Sequence, residues 1–276
     1  MKNLITRTLT GIVYVALIVG AVLAGGWWIV ALLALFSALA MNEFYGLANR
    51  EGESVLTRVI DIVGGLLLTL GLAFASTSAW LNGVVLLLAY PGYMVVRLVW
   101  QLYAHEKSPL SNLAYSYMGH IYIALPLGLA SVYYAYPCGT ALLLAMFIMI
   151  WLSDTGAYLV GSAIGKHKMI PRISPGKSWE GFIGGVLFAT LSGLVFKYGF
   201  GEYYTSISAL GLCGMGFIVS IFATWGDLVE SLIKRTLGVK DSGKLLPGHG
   251  GILDRIDSLL LVAPASVIYL AIVVMM

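Results

Sequence analysis

Acidic residues at helical spacing inside an apolar stretch are the first feature that indicates chemistry. Four residues separated by three or four positions share one helical face: Asp227, Glu230, Ser231 and Lys234. An ionised carboxylate at membrane depth costs at least about 2.5–3.5 kcal/mol, so each acid needs a partner or a function. Glu230 and Lys234 are expected to pair. Asp227 has no cation four residues away, which makes it a candidate ligand for a hard divalent cation.

A basic, glycine-rich loop follows this face. It carries Lys234, Arg235, Lys240 and Lys244, then Pro247-Gly248-His249-Gly250-Gly251, and then Asp254, Arg255 and Asp257. Glycines ahead of a helix let backbone N–H groups approach a phosphate closely, and lysine and arginine neutralise its charge. Asp254 and Asp257, three residues apart, can hold Mg²⁺ against that phosphate. The loop is therefore a candidate phosphate-binding segment.

The stretch 154–181 supplies a second group of candidates. Asp154 shares a helical face with Gly161 and Gly165, whose spacing of four favours close helix packing. Gly176-Lys177-Ser178 resembles the end of a phosphate-binding P-loop, but Pro171 stands where the first glycine should be. We reject the P-loop interpretation. Ser174-Pro175 is expected to interrupt helical structure, and Ser178 can cap the next helix. Lys177 lies just ahead of the positive end of that helix, and Glu180 lies in its first turn.

The composition places these residues in a membrane. Of 276 residues, 59% are hydrophobic and 11% charged, and the mean hydropathy is +0.91. A soluble domain carries roughly a quarter charged residues, so a cytosolic globule, a disordered chain and a nucleic-acid-binding protein are excluded. The two cysteines, Cys138 and Cys213, lie in or beside apolar runs and are expected to be free thiols.

Apolar runs long enough to cross the hydrocarbon core, about 17 to 25 residues, recur along the chain. We count nine, which predicts an all-α, polytopic membrane protein. The predicted spans are 9–24, 27–47, 58–76, 80–102, 111–130, 139–163, 180–199, 207–233 and 257–275. The shortest connection between them is Gly25-Gly26. The first run is interpreted as a retained span, because no small-residue cleavage site followed by a polar domain is found.

The basic residues predict the orientation. With the N-terminus in the cytoplasm, fifteen of the 16 lysines and arginines fall at or near the cytoplasmic side, and only Lys197 lies outside. Both polar loops, 164–179 and 234–256, are then cytoplasmic.

The two halves of the chain differ in kind. Residues 1–140 confine polar groups to short loops and are expected to form a transmembrane scaffold, in which Glu43 and Asp61 pair near the loop that carries Arg50 and Arg58. Residues 141–276 place acids in or beside apolar spans, so the chemistry is expected there.

Three stretches together resemble a known family. Ser231-Leu-Ile-Lys-Arg235, Lys240-Asp-Ser-Gly243 and Leu246-Pro-Gly-His-Gly-Gly-Ile-Leu-Asp-Arg-Ile-Asp257 match the signature of phosphatidate cytidylyltransferases, the CDP-diacylglycerol synthases, over 27 residues without departure. The stretch 154–181 is similar to a second block of the same family. The resemblance covers about the C-terminal 120 residues, and the first half resembles the family only in its apolar spans.

The resemblance implies a multi-pass enzyme of the cell membrane, commonly a homodimer, that joins CTP and phosphatidate with Mg²⁺ to give CDP-diacylglycerol and pyrophosphate. It assigns Asp227 and Asp254 as metal ligands, with room for a second cation. The remaining roles are hypotheses. Catalysis is assigned to Asp227, Asp254, Asp257, Lys177, Lys234 and Arg235. Substrate binding is assigned to Asp154, Ser174, Ser178, Lys240, Lys244, His249, Gly250, Gly251 and Arg255.

Two other functions use similar residues. A CTP-dependent kinase of polyprenol or another lipid would transfer the γ-phosphate to an alcohol. A secondary transporter would line an ion pathway with Asp154, Asp227 and Asp254, but it predicts paired half-repeats, and no convincing internal repeat is found.

Overall fold

The fold is a set of long apolar helices. A computed structural model describes residues 2–48, 53–77, 79–246 and 250–275; for residues 2–7 and 274–275 it describes the backbone. The helices are α1 (Lys2–Ala24), α2 (Gly26–Leu47), α3 (Val55–Ala75), α4 (Trp80–Tyr103), α5 (Pro109–Gly119), α6 (Leu125–Ala130), α7 (Gly139–Ile164), α8 (Trp179–Gly199), α9 (Ala209–Thr236) and α10 (Leu253–Met275). A π-helical turn, His120–Ala124, joins α5 to α6, and a 3-10 turn, Ser131–Ala135, follows α6.

These helices confirm the prediction of an all-α membrane protein. Eight helical segments in the described residues are long and apolar enough to cross a membrane, and α1 adds a shorter apolar segment, Thr8–Ala24. Helices α5 and α6 with their turns form one such segment, Pro109–Ala135. The short connection between the first two spans is also present. Gly25 and Gly26 turn the chain there with φ of 64° and 48°, a conformation that glycine adopts without steric cost.

A small β-hairpin is the one element of sheet within the described ranges, and the sequence analysis did not predict it. Strand β1 (Lys168–Ile170) pairs antiparallel with β2 (Ser174–Ser178), and β2 leads directly into α8. The hairpin lies within the predicted loop 164–179.

Contacts divide the chain into two compact units. The first contains Met1–Val132 with Asp241–Ile256, and the second contains Tyr133–Lys240 with Asp257–Met276. This division differs from the predicted one at residue 140, because the segment 241–256 groups with the N-terminal helices. The responsible hydrogen bonds join residues about 200 positions apart, which sequence spacing does not reveal.

A buried ion pair lies inside the first unit. Arg97 Nε on α4 donates to Asp61 Oδ1 on α3 over 2.7 Å, and both side chains are 0% exposed. Tyr93 and Ser116 also donate to this carboxylate, at 2.9 and 2.6 Å. Asp61 was expected to pair near the loop that carries Arg50 and Arg58; the structure pairs it with Arg97 on α4, and Arg50 lies outside the described residues. Arg58 pairs instead with Glu53, at 2.9 Å.

Small residues bring α7, α8 and α9 together in the second unit. A side chain at Gly185 on α8 would lie 2.7 Å from the Ser153 carbonyl oxygen on α7, and one at Gly161 would lie 3.4 Å from the Cα of Gly181. Ser153 and Ser220 share a hydrogen bond of 2.7 Å between α7 and α9. This confirms the packing interpretation for Gly161, whereas Gly165 follows the last residue of α7 and is not on its helical face.

Candidate active site

The β-hairpin places Lys177 against α9. Lys177 is in β2, and its Nζ lies 2.8 Å from Asp227 Oδ2 and donates to the Thr224 carbonyl oxygen over 3.1 Å. Ser231, one turn further along α9, donates to Asp227 Oδ1 over 3.2 Å. Asp227 therefore pairs with a cation from another segment, Lys177, since no cation lies four residues away on its own helix. The two side chains remain 23% and 38% exposed, so the pair stays open to a ligand.

Two contacts with α8 fix the ends of the hairpin. Ser178 caps α8, as predicted, by accepting a hydrogen bond from the Gly181 N–H over 3.2 Å. Glu180, in the first turn of α8, accepts from the His167 N–H at 3.1 Å and contacts His167 Nδ1 at 2.6 Å. The hairpin is held at both ends, which limits the positions that Lys177 can take.

Further acids lie near the Lys177–Asp227 pair. Asp257 on α10 interacts electrostatically with Asp227, with Asp154 on α7 and with Lys177. Its Oδ1 accepts the Ser258 N–H at 2.7 Å. We call Asp154, Lys177, Asp227 and Asp257 the acidic cluster. Within these four residues three carboxyl groups face one ammonium group, an arrangement in which a bound cation would be favoured.

The carboxylates of the acidic cluster fit one mode of Mg²⁺ binding, in which the protein supplies only part of the coordination shell. Within the described ranges, no group of three or more His, Cys, Asp or Glu side chains is arranged to hold a metal ion by itself. Mg²⁺ rarely needs such a cage, since it is usually bound by one or two carboxylates together with substrate phosphates and water. Carboxylate oxygens of Asp227 and Asp257 are hard ligands of that kind. The cluster therefore fits a metal ion that arrives with a polyphosphate substrate.

The basic residues at the end of α9 have distinct surroundings. Lys234 Nζ lies 2.5 Å from Glu230 Oε2, which confirms the predicted pair, and Glu230 is only 1% exposed. Arg235 is exposed, and its Nε is 3.5 Å from the Ile173 carbonyl oxygen in the hairpin turn. Arg235 thus lies beside the same hairpin that carries Lys177.

The described residues 241–246 and 250–252, here called the glycine-rich loop, belong to the first unit and are held by two carboxylates. Asp254 Oδ2 accepts the N–H groups of Ser242 and Gly251, at 2.9 and 2.8 Å. Glu43 on α2 accepts the N–H groups of Ile252 and Leu253, at 3.0 and 2.9 Å. Among the glycine N–H groups that the sequence assigned to a phosphate, that of Gly251 is thus bonded to the protein's own Asp254 carboxylate, and residues 247–249 lie outside the described residues. Glu43 was expected to pair near the loop that carries Arg50 and Arg58; its described partners are loop N–H groups, and Arg50 lies outside the described residues.

The predicted site residues fall into both units. The second unit contains Asp154, Ser174, Lys177, Ser178, Asp227, Lys234, Arg235, Lys240 and Asp257. The first contains Lys244, Gly250, Gly251, Asp254 and Arg255. His249 lies outside the described residues. Lys240, Lys244 and Arg255 are exposed. The structure brings Lys177, Asp227, Asp257 and Asp154 together within one unit, and it gives Asp254 contacts with loop amides.

Sequence analysis missed two residues that bind the last part of the chain. Glu43 was assigned to the scaffold, and Tyr14 on α1 donates to the Arg255 carbonyl oxygen over 2.8 Å. The sequence contains one signal for Glu43: it is an acid inside an apolar span, and its own helix has no lysine or arginine to pair with it.

Comparison with known proteins covers nearly the whole chain. The sequence model of the cytidylyltransferase family matches residues 5–273. A phosphatidate cytidylyltransferase of Staphylococcus haemolyticus is 35% identical over 258 residues, which are 94% of this chain and 95% of that protein. The proteins of the same name from Staphylococcus aureus strain COL and Staphylococcus epidermidis strain ATCC 12228 are each 34% identical, with the same coverage.

Proposed function

The chain belongs to the cytidylyltransferase family, and from this premise we propose that it transfers the cytidylyl group of CTP to phosphatidate, giving CDP-diacylglycerol and pyrophosphate in phospholipid biosynthesis. The observation that carries the proposal is the acidic cluster. Its three carboxylates and Lys177 come from α7, α9, α10 and the hairpin, on helices long enough to cross a membrane. A site of this kind suits one lipid substrate and one water-soluble, polyphosphate substrate.

The reaction needs no nucleophilic side chain. A phosphate oxygen of phosphatidate forms a bond to the α-phosphorus of CTP, and the bond from that phosphorus to the bridging oxygen breaks, so that pyrophosphate leaves with the electron pair. Both reactants are anions, so the protein's main task is to hold them in line and to offset their repulsion. The Lys177 ammonium group, held by Asp227 and the Thr224 carbonyl, is the described cation best placed for this.

The proposal includes Mg²⁺ as the metal, with Asp227 and Asp257 as carboxylate ligands and Asp154 nearby. When bound, Mg²⁺ would neutralise phosphate charge and polarise the α-phosphoryl group. The assignment of Asp254 as a ligand, and of a second cation, stays a prediction from the family resemblance. Asp227 orients Lys177, and Ser231 in turn orients the Asp227 carboxylate through its hydrogen bond.

A direct assay tests this function. Purified protein in detergent is incubated with phosphatidate, CTP and Mg²⁺, and the products are separated by phase. We expect pyrophosphate in water and a cytidine-bearing lipid in the organic phase, both lost when EDTA removes Mg²⁺ and when phosphatidate is omitted. Failure to form the nucleotide-bearing lipid would contradict the function, and full activity in EDTA would contradict the metal.

We also propose that the protein resides in the cytoplasmic membrane with this site facing the cytoplasm, which rests on the distribution of basic residues. In a background with Cys138 and Cys213 replaced by serine, Gly176→Cys is expected to resist an impermeant thiol reagent in intact cells. Glu202→Cys, in the loop predicted to be outside, is expected to react. The reverse pattern would contradict the orientation. A homodimer is part of the same proposal, tested by the mass of the protein in detergent.

A further inference from the structure

The carboxylate of Glu43 lies at the centre of the contacts that hold the glycine-rich loop. Its Oε1 accepts the Ile252 N–H at 3.0 Å, and its Oε2 accepts the Leu253 N–H at 2.9 Å and the Ser242 hydroxyl at 3.1 Å. These bonds join α2 to both ends of a loop that follows it by about 200 residues. Charge-assisted bonds of this kind are stronger than bonds between neutral groups.

Two glycines of the loop are explained by this carboxylate. A Cβ atom at Gly243 would lie 2.7 Å from Glu43 Oε1, closer than real side chains approach. At Gly251, a Cβ atom would collide with Glu43 Oε2 and with the Ser242 hydroxyl oxygen. At Gly243 and Gly251 a larger residue would therefore displace the Glu43 carboxylate or the loop backbone.

A second carboxylate completes the arrangement. Asp254 Oδ2 accepts the Ser242 and Gly251 N–H groups, and the Asp254 N–H lies 3.3 Å from the Ser242 hydroxyl oxygen. Consecutive N–H groups from Gly251 to Leu253 are thus each bonded to an acid. Residues 241–245 and 251 lie outside regular helix and strand, so these bonds take the place of secondary structure in fixing the loop.

From these contacts we propose that Glu43 is a positioning residue for cytidylyl transfer, one that fixes the glycine-rich loop without touching substrate. The proposal rests on the proposed function, because the loop carries Lys244 and leads into Arg255, the residues assigned to substrate. Glu43 sets the path of the backbone between them. Within the first unit, α2 thereby fixes the loop that carries these residues, through the Glu43 carboxylate.

Replacing Glu43 with glutamine tests the proposal at nearly constant shape. One carboxylate oxygen becomes an NH₂ group, which cannot accept hydrogen bonds from the loop N–H and hydroxyl groups that face it. We expect kcat per folded molecule to fall about 10- to 100-fold, since small displacements of a positioned group cost this much. Glu43→Asp keeps the charge at shorter reach and should recover part of the loss. The control Glu202→Gln removes an exposed carboxylate from a turn of the other unit and should leave kcat unchanged.

A second readout does not depend on activity. With the native cysteines replaced, Leu245→Cys places a thiol on the exposed part of the loop, and its labelling rate reports local opening. Labelling should accelerate in the Glu43→Gln background and stay unchanged with Glu202→Gln. If Glu43→Gln fails to fold, Gly243→Ala perturbs the same contact from the loop side, and the same changes are expected.

The outcomes separate the two proposals. A wild-type protein that makes no CDP-diacylglycerol contradicts the proposed function, while the labelling data still report on the loop. An active wild type whose Glu43→Gln variant keeps the same kcat, or the same labelling rate at residue 245, overturns the positioning role. Loss of folded protein with an unchanged kcat per folded molecule would show a purely structural role, which also overturns it.

Discussion

Two polar clusters, one in each compact unit, differ in the features that separate structure from chemistry. In the first unit, Asp61 and Arg97 are 0% exposed, balanced in charge and surrounded by neutral partners such as Tyr93, Ser116 and Gln101. In the second, the acidic cluster has three acids for one lysine, and the Lys177–Asp227 pair is partly exposed.

This contrast indicates which charged side chains in a membrane protein are candidates for catalysis. A balanced, closed network has no capacity for a further ion, and its bonds connect α3 to α4 and α5. A cluster of several carboxyl groups around one partly exposed lysine can instead accept a cation or a charged substrate, which lowers the cost of keeping its acids ionised. Exposure and charge balance, rather than the mere presence of acids in the membrane, therefore separate the two clusters.

The largest effect is expected at the acidic cluster. Asp227→Asn keeps the shape of the side chain and removes its charge, so the contact with Lys177 and the proposed metal ligand are lost together. Loss of one preorganised electrostatic group commonly costs about 10²- to 10³-fold in kcat. Steady-state kinetics at saturating Mg²⁺ measures this, and the thermal unfolding temperature in detergent should change little. Near-normal turnover would remove Asp227 from the site.

The opposite pattern is expected at the closed network. Asp61→Asn leaves Arg97 buried without its counterion, which should destabilise the protein by about 3–5 kcal/mol. Thermal unfolding in detergent reports the loss, while kcat per folded molecule should be preserved.

A matched double variant sharpens this expectation. Asp61→Asn combined with Arg97→Met removes both charges and should recover part of the stability, because no unpaired charge remains. If Asp61→Asn unfolds at the wild-type temperature but lowers kcat, the distinction between the two clusters is wrong.

A smaller effect is expected at Lys177. Lys177→Met removes the ammonium group that contacts Asp227 and Thr224 but keeps an apolar stem. We expect kcat/KM for CTP to fall about tenfold, which corresponds to about 1.4 kcal/mol of lost transition-state stabilisation. Lys168→Met, on the paired strand and exposed, is the control and should behave as wild type. If both variants lowered kcat/KM equally, the effect would come from the net positive charge of the hairpin and not from the position of Lys177.

Local features of both regions could be predicted from the sequence. The spans follow from hydropathy, the Ser178 cap from its place before an apolar run, and the Glu230–Lys234 pair from its spacing of four. Each depends on residues within one or two turns of each other. The nine predicted spans correspond to eight long helical segments and the shorter α1 segment in the described residues.

Contacts between distant segments could not be predicted in the same way. Asp61 pairs with Arg97, 36 positions away, and Glu43 with Leu253, 210 positions away, although Arg58 was nearer in sequence to both acids. Lys177 reaches Asp227 because a two-stranded hairpin, too short to give a strand pattern, turns it toward α9. In the second unit the sequence indicated which residues are candidates for the site. The contacts between those residues could be identified only from the structure.

The fate of each CTP phosphate distinguishes cytidylyl transfer from phosphoryl transfer. Parallel reactions contain CTP labelled at the α or the γ phosphate, with phosphatidate and Mg²⁺, and the label is counted in the organic and aqueous phases. Cytidylyl transfer predicts α label in the lipid and γ label in aqueous pyrophosphate. A lipid kinase predicts γ label in the lipid and α label in aqueous CDP, and that result would contradict the account.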